Sequence, residues 1–372
     1  MPPPLVDRFN GLELPPSADM HVHLRDGAMM ETVVPTIRKG GVDTVFVMPN
    51  LVPPITTVAA AQAYKARLQA LEPNVTFLMS LYLHPSITPA TIIEAKAAGL
   101  AGVKSYPAGV TTNSAAGVLD YKAFYPVFAE MERQDLVLNL HGEVPASSGP
   151  NGEGGDITVL NAEERFLPTL RELHAAFPRL RIVLEHCTTA AAVAAVRNCG
   201  PTVAATITPH HLILTVDDVV GNALHFCKPV AKLPGDRIAL LKAVVSGEPK
   251  FFLGTDSAPH AAEAKSAPAG TAAPAGVFTQ PYASQLVLDA VAGAVERGWL
   301  SEEEVGVEWL EGFLGQAGRR FYKLPEGSRE SGFRLAWEGE RVVDVVGGEG
   351  EGAARVVPFR KGRETWSLRW RE

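Results

Sequence analysis

Residues 17–25 read Ser17-Ala18-Asp19-Met20-His21-Val22-His23-Leu24-Arg25. Alternate side chains of an extended strand share a face, so His21 and His23 reach toward one point and Arg25 continues the row. Two imidazoles placed this way can hold one metal ion. The pair alone does not decide the matter, because imidazole also serves as an ordinary hydrogen-bonding group. The test is whether further ligands recur at the ends of other strands.

Seven more short β-rich runs follow the one at 18–23, at 42–48, 75–83, 102–104, 136–141, 181–186, 202–206 and 251–255. Between them, stretches at 59–71, 89–98, 163–177, 190–198 and 236–246 carry apolar residues at helical spacing. Eight strands alternating with helices predict an α/β chain closed into a (β/α)8, or TIM, barrel. Three segments break the rhythm. Residues 105–117 (SYPAGVTTNSAAG) have no helical period and suit a mobile lid over the barrel mouth. Residues 144–156 form a Gly/Pro/Ser loop, and 261–276 are nearly low-complexity and expected to be partly disordered. The expected division is a barrel over 1–325 and a C-terminal extension over 326–372, made of short strands folded back on the barrel.

The chain has 372 residues, 46% hydrophobic and 20% charged, enough for a large core. A net charge of −7 gives no basic footprint for nucleic acid or anionic membrane, so the expected partner is a small molecule. No apolar run approaches the roughly 18 residues of a membrane span, and Met1-Pro2-Pro3-Pro4 lacks the regions of a signal peptide, so the expected location is cytoplasmic. Cys187, Cys199 and Cys227 are scattered without CxxC spacing, which argues against a disulfide framework and a thiolate zinc site. They read as reduced, half-buried packing residues.

In a (β/α)8 barrel the chemistry sits at the C-terminal ends of the strands. His21 and His23 close the first run, Lys104 the fourth, His141 the fifth, His186 the sixth, and Asp256 follows the eighth. Lys104 is the odd member, because an ammonium beside metal cations is repelled. Burial lowers its pKa, and the neutral amine can react with carbon dioxide to give an anionic carbamate with two oxygens. A snorkelling lysine or a salt bridge is the alternative, and residue chemistry alone leaves both open.

His21-x-His23-x-Arg25, Met48-Pro49-Asn50, Val103-Lys104-Ser105-Tyr106-Pro107, His141-Gly142-Glu143, Leu184-Glu185-His186 and Gly254-Thr255-Asp256-Ser257-Ala258-Pro259-His260 resemble the dihydroorotase family. The likeness is to the shorter bacterial-type class that fungi also use, within the metal-dependent binuclear amidohydrolases, and it runs from about Leu12 to Pro325. The resemblance implies two zinc ions bridged by carboxylated Lys104 and a hydroxide. His21, His23 and Asp256 would hold one ion, and His141 and His186 the other. Neutral imidazoles and carboxylates suit zinc. The formal charges leave roughly +1 facing the substrate, which favours an anion.

The implied reaction is the reversible interconversion of N-carbamoyl-L-aspartate and L-dihydroorotate in pyrimidine biosynthesis, with Asp256 moving the proton. Arg25, Asn50 and His260 match positions that hold the substrate carboxylate. Asn50 could equally be a turn residue, and His260 a structural hydrogen-bonding group. Thr111 and Thr112 stand where the family lid carries two adjacent hydroxyls, His141 also lies beside the substrate, and Lys228 and Ala275 would offer backbone contacts. The chain departs from the bacterial pattern at Lys228, usually aliphatic, and after His260, where cysteines often occur. His210 and His211 read as support of the barrel rim, and His84, His174 and His225 as surface or packing residues. Family members are commonly dimers, so a homodimer is expected. Two rival readings remain: a dihydropyrimidinase or hydantoinase, whose substrate lacks the free carboxylate, and an inactive scaffold barrel, which generally loses metal ligands.

Overall fold

A computed structural model of the chain describes residues 4–146, 155–266, 273–348 and 352–371. The middle of the loop at 144–156, and of the low-complexity stretch at 261–276 expected to be partly disordered, lies outside these residues.

The first strand, β1 (Glu13–Leu14), stands apart from the barrel. The barrel is built from β2 (Ser17–Val22), β3 (Val42–Val47), β4 (Thr76–Tyr82), β5 (Gly102–Ser105), β6 (Val137–His141), β7 (Ile182–Glu185), β8 (Val203–Ile207) and β9 (Phe251–Leu253), each parallel to the next in chain order. These strands are buried on both faces, as a parallel sheet wrapped by helices requires. Closure between β9 and β2 is made just past the strand ends. Asp256 N–H donates to His21 O and His23 N–H to Ser257 O, both at 2.9 Å. The Asp19 carboxylate fastens the same seam, accepting from Thr255 N at 2.7 Å and Thr255 Oγ1 at 2.6 Å. His21, His23 and Asp256, far apart in sequence, are thereby set side by side.

The helices expected from periodicity are present at Val58–Leu71, Pro89–Ala97, Ala162–Ala176, Ala190–Asn198 and Pro234–Val245. Thr57, Thr88 and Thr189 cap three of them, each accepting from a backbone N–H three residues on. Helices at Gly27–Val33, Tyr125–Gln134 and Ala283–Glu296 complete the ring but were not singled out from sequence. The last of these is buried over most of its surface.

A broken helix then runs from Val307 to Tyr322, with one π-helical turn at Gly312–Gln316. It closes the N-terminal mouth of the barrel. Ala317 and Tyr322 pack with Ala18, Phe46, Val137, Val183, Ala204 and Phe252 in the barrel interior. The remaining strands are β10 (Phe333–Arg341), β11 (Val346–Gly347), β12 (Arg355–Val356) and β13 (Glu364–Trp370). β10 pairs antiparallel with both β13 and β1, so the second sheet draws on both ends of the chain. It is tied to the barrel shell by Trp370 Nε1, which donates to Arg38 O at 2.7 Å, with the Arg38 guanidinium stacked 3.6 Å over the Trp370 ring.

Candidate active site

His21 and His23 sit at the end of β2 and just beyond it, and Asp256 follows β9. All three are buried. His21 Nε2 lies 3.3 Å from His23 Nε2, and Asp256 Oδ1 lies 3.2 Å and 3.1 Å from those two nitrogens. A tetrahedral zinc with bonds of about 2.0–2.1 Å separates its donors by about 3.3–3.4 Å, so the triangle has the right size for one ion.

The far side of the His23 ring fixes its tautomer, whereas His21 Nδ1 lies near a carboxylate without a hydrogen bond of normal geometry. His23 Nδ1–H donates to Asn50 Oδ1 at 2.8 Å, and His21 Nδ1 faces Glu185 Oε2 at 3.2 Å. With His21 in the matching tautomer, two imidazole lone pairs and a carboxylate oxygen point at one another. That arrangement is repulsive unless a cation lies between them.

Beside this triangle, Lys104 on β5 is fully buried against the Tyr106 ring, with Nζ 4.9 Å from its centroid. Its Nζ contacts Glu185 Oε2, yet neither atom completes a hydrogen bond of normal geometry. Burial holds the Lys104 amine well below its ordinary range. His141, at the end of β6, and His186, just after β7, meet edge to face with centroids 4.6 Å apart. His141 Nε2–H donates to Glu143 Oε2 at 2.8 Å, which leaves Nδ1 as its free lone pair, and His186 Nδ1 has no partner among the described residues.

Burial keeps the imidazoles neutral, with His21 brought down to about 3 and His186 well below its usual value. Burial alone would raise Asp256, but the adjoining His21 and His23 hold it well below the usual carboxylate range. The site thus offers neutral imidazoles, an ionised carboxylate and an amine poised to be uncharged. His186 and Asp256 hold left-handed backbone angles, with φ of 41° and 47°, as does Arg25 at 60°. For residues other than glycine such angles cost energy and cluster where function demands them.

A second group lines the mouth. Arg25 Nε donates to Pro259 O at 3.0 Å, and Arg25 Nη2 lies 3.3 Å from His260 Nε2. His260 Nε2 is also 2.8 Å from Ala275 O, and burial with the nearby Arg25 lowers its pKa to about 3. The segment expected to be a lid is folded over this group. Asn50 Nδ2 donates to Thr112 O at 3.1 Å, Thr112 Oγ1 reaches Ala275 O at 3.5 Å, and Asn113 Nδ2 donates to Asn50 O at 2.9 Å. Thr111 is half-buried beside them, its N–H donating to Ser114 Oγ at 2.9 Å. Lys228 is half-buried and lies near Glu143, whose carboxyl its charge helps to lower.

Three functional side chains were not assigned roles from sequence. Glu143 orients His141, Glu185 sits between His21 and Lys104, and Asn139 Nδ2 donates to Glu185 Oε1 at 3.0 Å. The signal was present in the first two cases, as an acid two residues after one strand-end histidine and an acid immediately before the other. His84 hydrogen-bonds to Ser86, His174 to Gly200, and His225 to Asp218 and Asn222. Cys187 and Cys227 are fully buried rather than half-buried, and Cys199 is intermediate.

A closed parallel barrel with buried imidazoles, a carboxylate and a lysine at the C-terminal ends of its strands defines a metal-dependent amidohydrolase. Residues 18–207 match the amidohydrolase family. A probable dihydroorotase of Schizosaccharomyces pombe is 47% identical over 96% of the chain and 99% of that protein. A crystal structure of Saccharomyces cerevisiae dihydroorotase in complex with 5-fluoroorotic acid superposes with a TM-score of 0.87 at 44% identity, covering 97% of this chain and 99% of that one. The chain belongs to the dihydroorotase family. An Arthrobacter aurescens L-hydantoinase shares the fold, with a TM-score of 0.77 at 18% identity over 96% of this chain and 82% of that one.

Proposed function

We propose that the chain catalyses the reversible cyclisation of N-carbamoyl-L-aspartate to L-dihydroorotate in de novo pyrimidine synthesis, using two zinc ions. The observation that carries this reading is the convergence of His21 Nε2, His23 Nε2 and Asp256 Oδ1 within 3.3 Å of one another, beside a buried Lys104 amine. His21, His23 and Asp256 would hold one ion and His141 and His186 the other, with Lys104 as the bridging carbamate alongside a hydroxide. The donors fit such a centre: His186 Nδ1 is unpartnered among the described residues, the triangle has tetrahedral spacing, and the depressed amine is the nucleophilic form that adds carbon dioxide. When bound, the ions supply Lewis acidity and lower the pKa of water toward neutrality.

The chain's own residues perform the rest. Asp256, held ionised, accepts a proton on its carboxylate and delivers it to the ring nitrogen released in the opening direction; closure reverses the transfer. Arg25, with Asn50 and His260, binds the free carboxylate that distinguishes dihydroorotate from an uncharged cyclic amide, and a guanidinium suits that ion. Thr111 and Thr112 on the lid, with backbone groups of Lys228 and Ala275, position the ring and exclude water. Residues 1–325 act as the catalytic barrel and 326–372 as an extension packed on it, in a cytoplasmic homodimer.

The decisive assay is dihydroorotate ring opening by purified protein before chelation, after it, and after zinc is restored. Activity lost and regained is expected. Dihydrouracil opened as fast as dihydroorotate would instead place the chain with the dihydropyrimidinases, and metal-free protein with no turnover would mark an inactive scaffold.

A further inference from the structure

His210 and His211 follow β8 on the same rim as the catalytic group, and Cys227 lies on the succeeding loop. Their relative exposures are 0%, 2% and 1%, and their donor atoms all lie within 4.8 Å of one another. His211 Nε2 is 3.7 Å from Cys227 Sγ and 2.9 Å from Pro229 O, and that carbonyl is 3.2 Å from the sulfur. A tetrahedral zinc with one nitrogen bond and one sulfur bond sets those two donors about 3.6 Å apart.

His210 is the unexplained member. Its ring packs 4.3 Å from that of His211, centroid to centroid, yet both of its nitrogens lack a hydrogen-bond partner among the described residues. A buried polar atom left unsatisfied costs about 1–3 kcal/mol, so a native fold does not keep two on one ring without a ligand for at least one. On the far side of His211, Nδ1 lies 2.8 Å from Thr208 Oγ1. The Thr208 hydroxyl also accepts from His211 N–H and donates to Nδ1, while Nε2–H donates to Pro229 O; a metal at Nε2 displaces that proton, and the other tautomer, with Nδ1–H on Thr208 Oγ1, then holds the ring.

We propose that His210, His211 and Cys227, with the Pro229 carbonyl as a fourth donor, form a third zinc site, distinct from the catalytic pair. On binding, the S–H bond breaks as the sulfur–zinc bond forms, and the thiol proton leaves to solvent. The mixed nitrogen and sulfur donor set favours zinc over the hard ions magnesium and calcium. Cysteine spacing argues against a thiolate site because Cys227 stands 16 positions after His211, with no recognisable ligand spacing.

Cobalt substitution of the full chain tests this without reference to activity, because the catalytic donors are nitrogen and oxygen only. A thiolate-to-cobalt charge-transfer band in the near ultraviolet is expected in the parent protein and in Cys199→Ser. It is expected to vanish in Cys227→Ser, with tightly held cobalt falling by one equivalent per chain and the remaining equivalents kept. Should Cys227→Ser fail to fold, His210→Gln keeps the thiol and should weaken retention of that one equivalent at least tenfold. No band in the parent protein, a band that follows Cys199, or equal cobalt content in parent and Cys227→Ser or His210→Gln overturns the proposal and leaves water as the ligand of His210.

Discussion

The Asn50 carboxamide joins His23 to the lid: its oxygen accepts from His23 Nδ1 at 2.8 Å while its nitrogen donates to Thr112 O at 3.1 Å. A residue matched by resemblance to substrate binding thus also orients a candidate metal ligand. Asn50→Ala is expected to lower both metal retention and kcat/KM, since His23 loses the partner that fixes its tautomer. Metal content after dialysis against a chelator, measured beside kinetics, checks this. Full retention of metal would confine Asn50 to the substrate.

Arg25→Ala should behave differently. Its guanidinium contacts Pro259 O and His260 rather than a metal-facing nitrogen. A hydrogen bond to a charged group is worth about 1.5–3 kcal/mol, so kcat/KM on dihydroorotate should fall on the order of 10–100-fold with metal content unchanged. An unaltered kcat/KM would remove Arg25 from carboxylate recognition.

Glu143→Gln weakens the anchor of His141, whose Nε2 lies 2.8 Å from Glu143 Oε2. Loss of such a carboxylate partner typically costs about 10–100-fold in metal affinity or activity. The expected result is faster metal loss to a chelator and a lower kcat, read by stopped-flow chelation and steady-state assays. Parent-like values in both would show that His141 needs no such anchor.

Lys104→Ala is expected to abolish turnover and reduce metal occupancy, because no anion can then form between the two groups of histidines. Intact mass of the parent protein should show the carbon dioxide adduct on Lys104. Parent-level activity in the variant would rule out the bridge.

Glu163 gives a pH signature. Burial pushes its carboxyl up to about 7, while it accepts from Thr188 N at 2.8 Å. The folded state therefore binds a proton that the unfolded chain releases at lower pH. The stability this confers is present below about pH 4.5 and lost as pH rises through about 7, on the order of 3 kcal/mol in all. Glu163→Gln has no such proton, so the parent should lose stability relative to it between pH 4.5 and 7, as read by denaturant midpoints. Parallel pH profiles would refute the shift.

Much of the fold was legible because a buried parallel strand is a local feature. The run at 18–23 became β2 (Ser17–Val22), and that at 136–141 became β6 (Val137–His141). The Ala283–Glu296 helix carries apolar residues at helical spacing and was legible in principle. β1 escaped notice because its partner, β10, lies at the other end of the chain. In the site, the strand-end donors stood out by type and place. Glu185 and Glu143 did not, since an acid beside a histidine in sequence reads the same whether it faces the histidine or solvent.

The sequence by itself determined the order of strands and helices and which chemical groups stand at the strand ends, because both follow from side-chain type and short-range periodicity. Only the tertiary structure decided which atoms meet. His23 and Asp256 are 233 residues apart and come together through the closure of β9 on β2. That closure, sealed by the Asp19 carboxylate on Thr255, is a long-range hydrogen-bonding and packing event that no local pattern encodes.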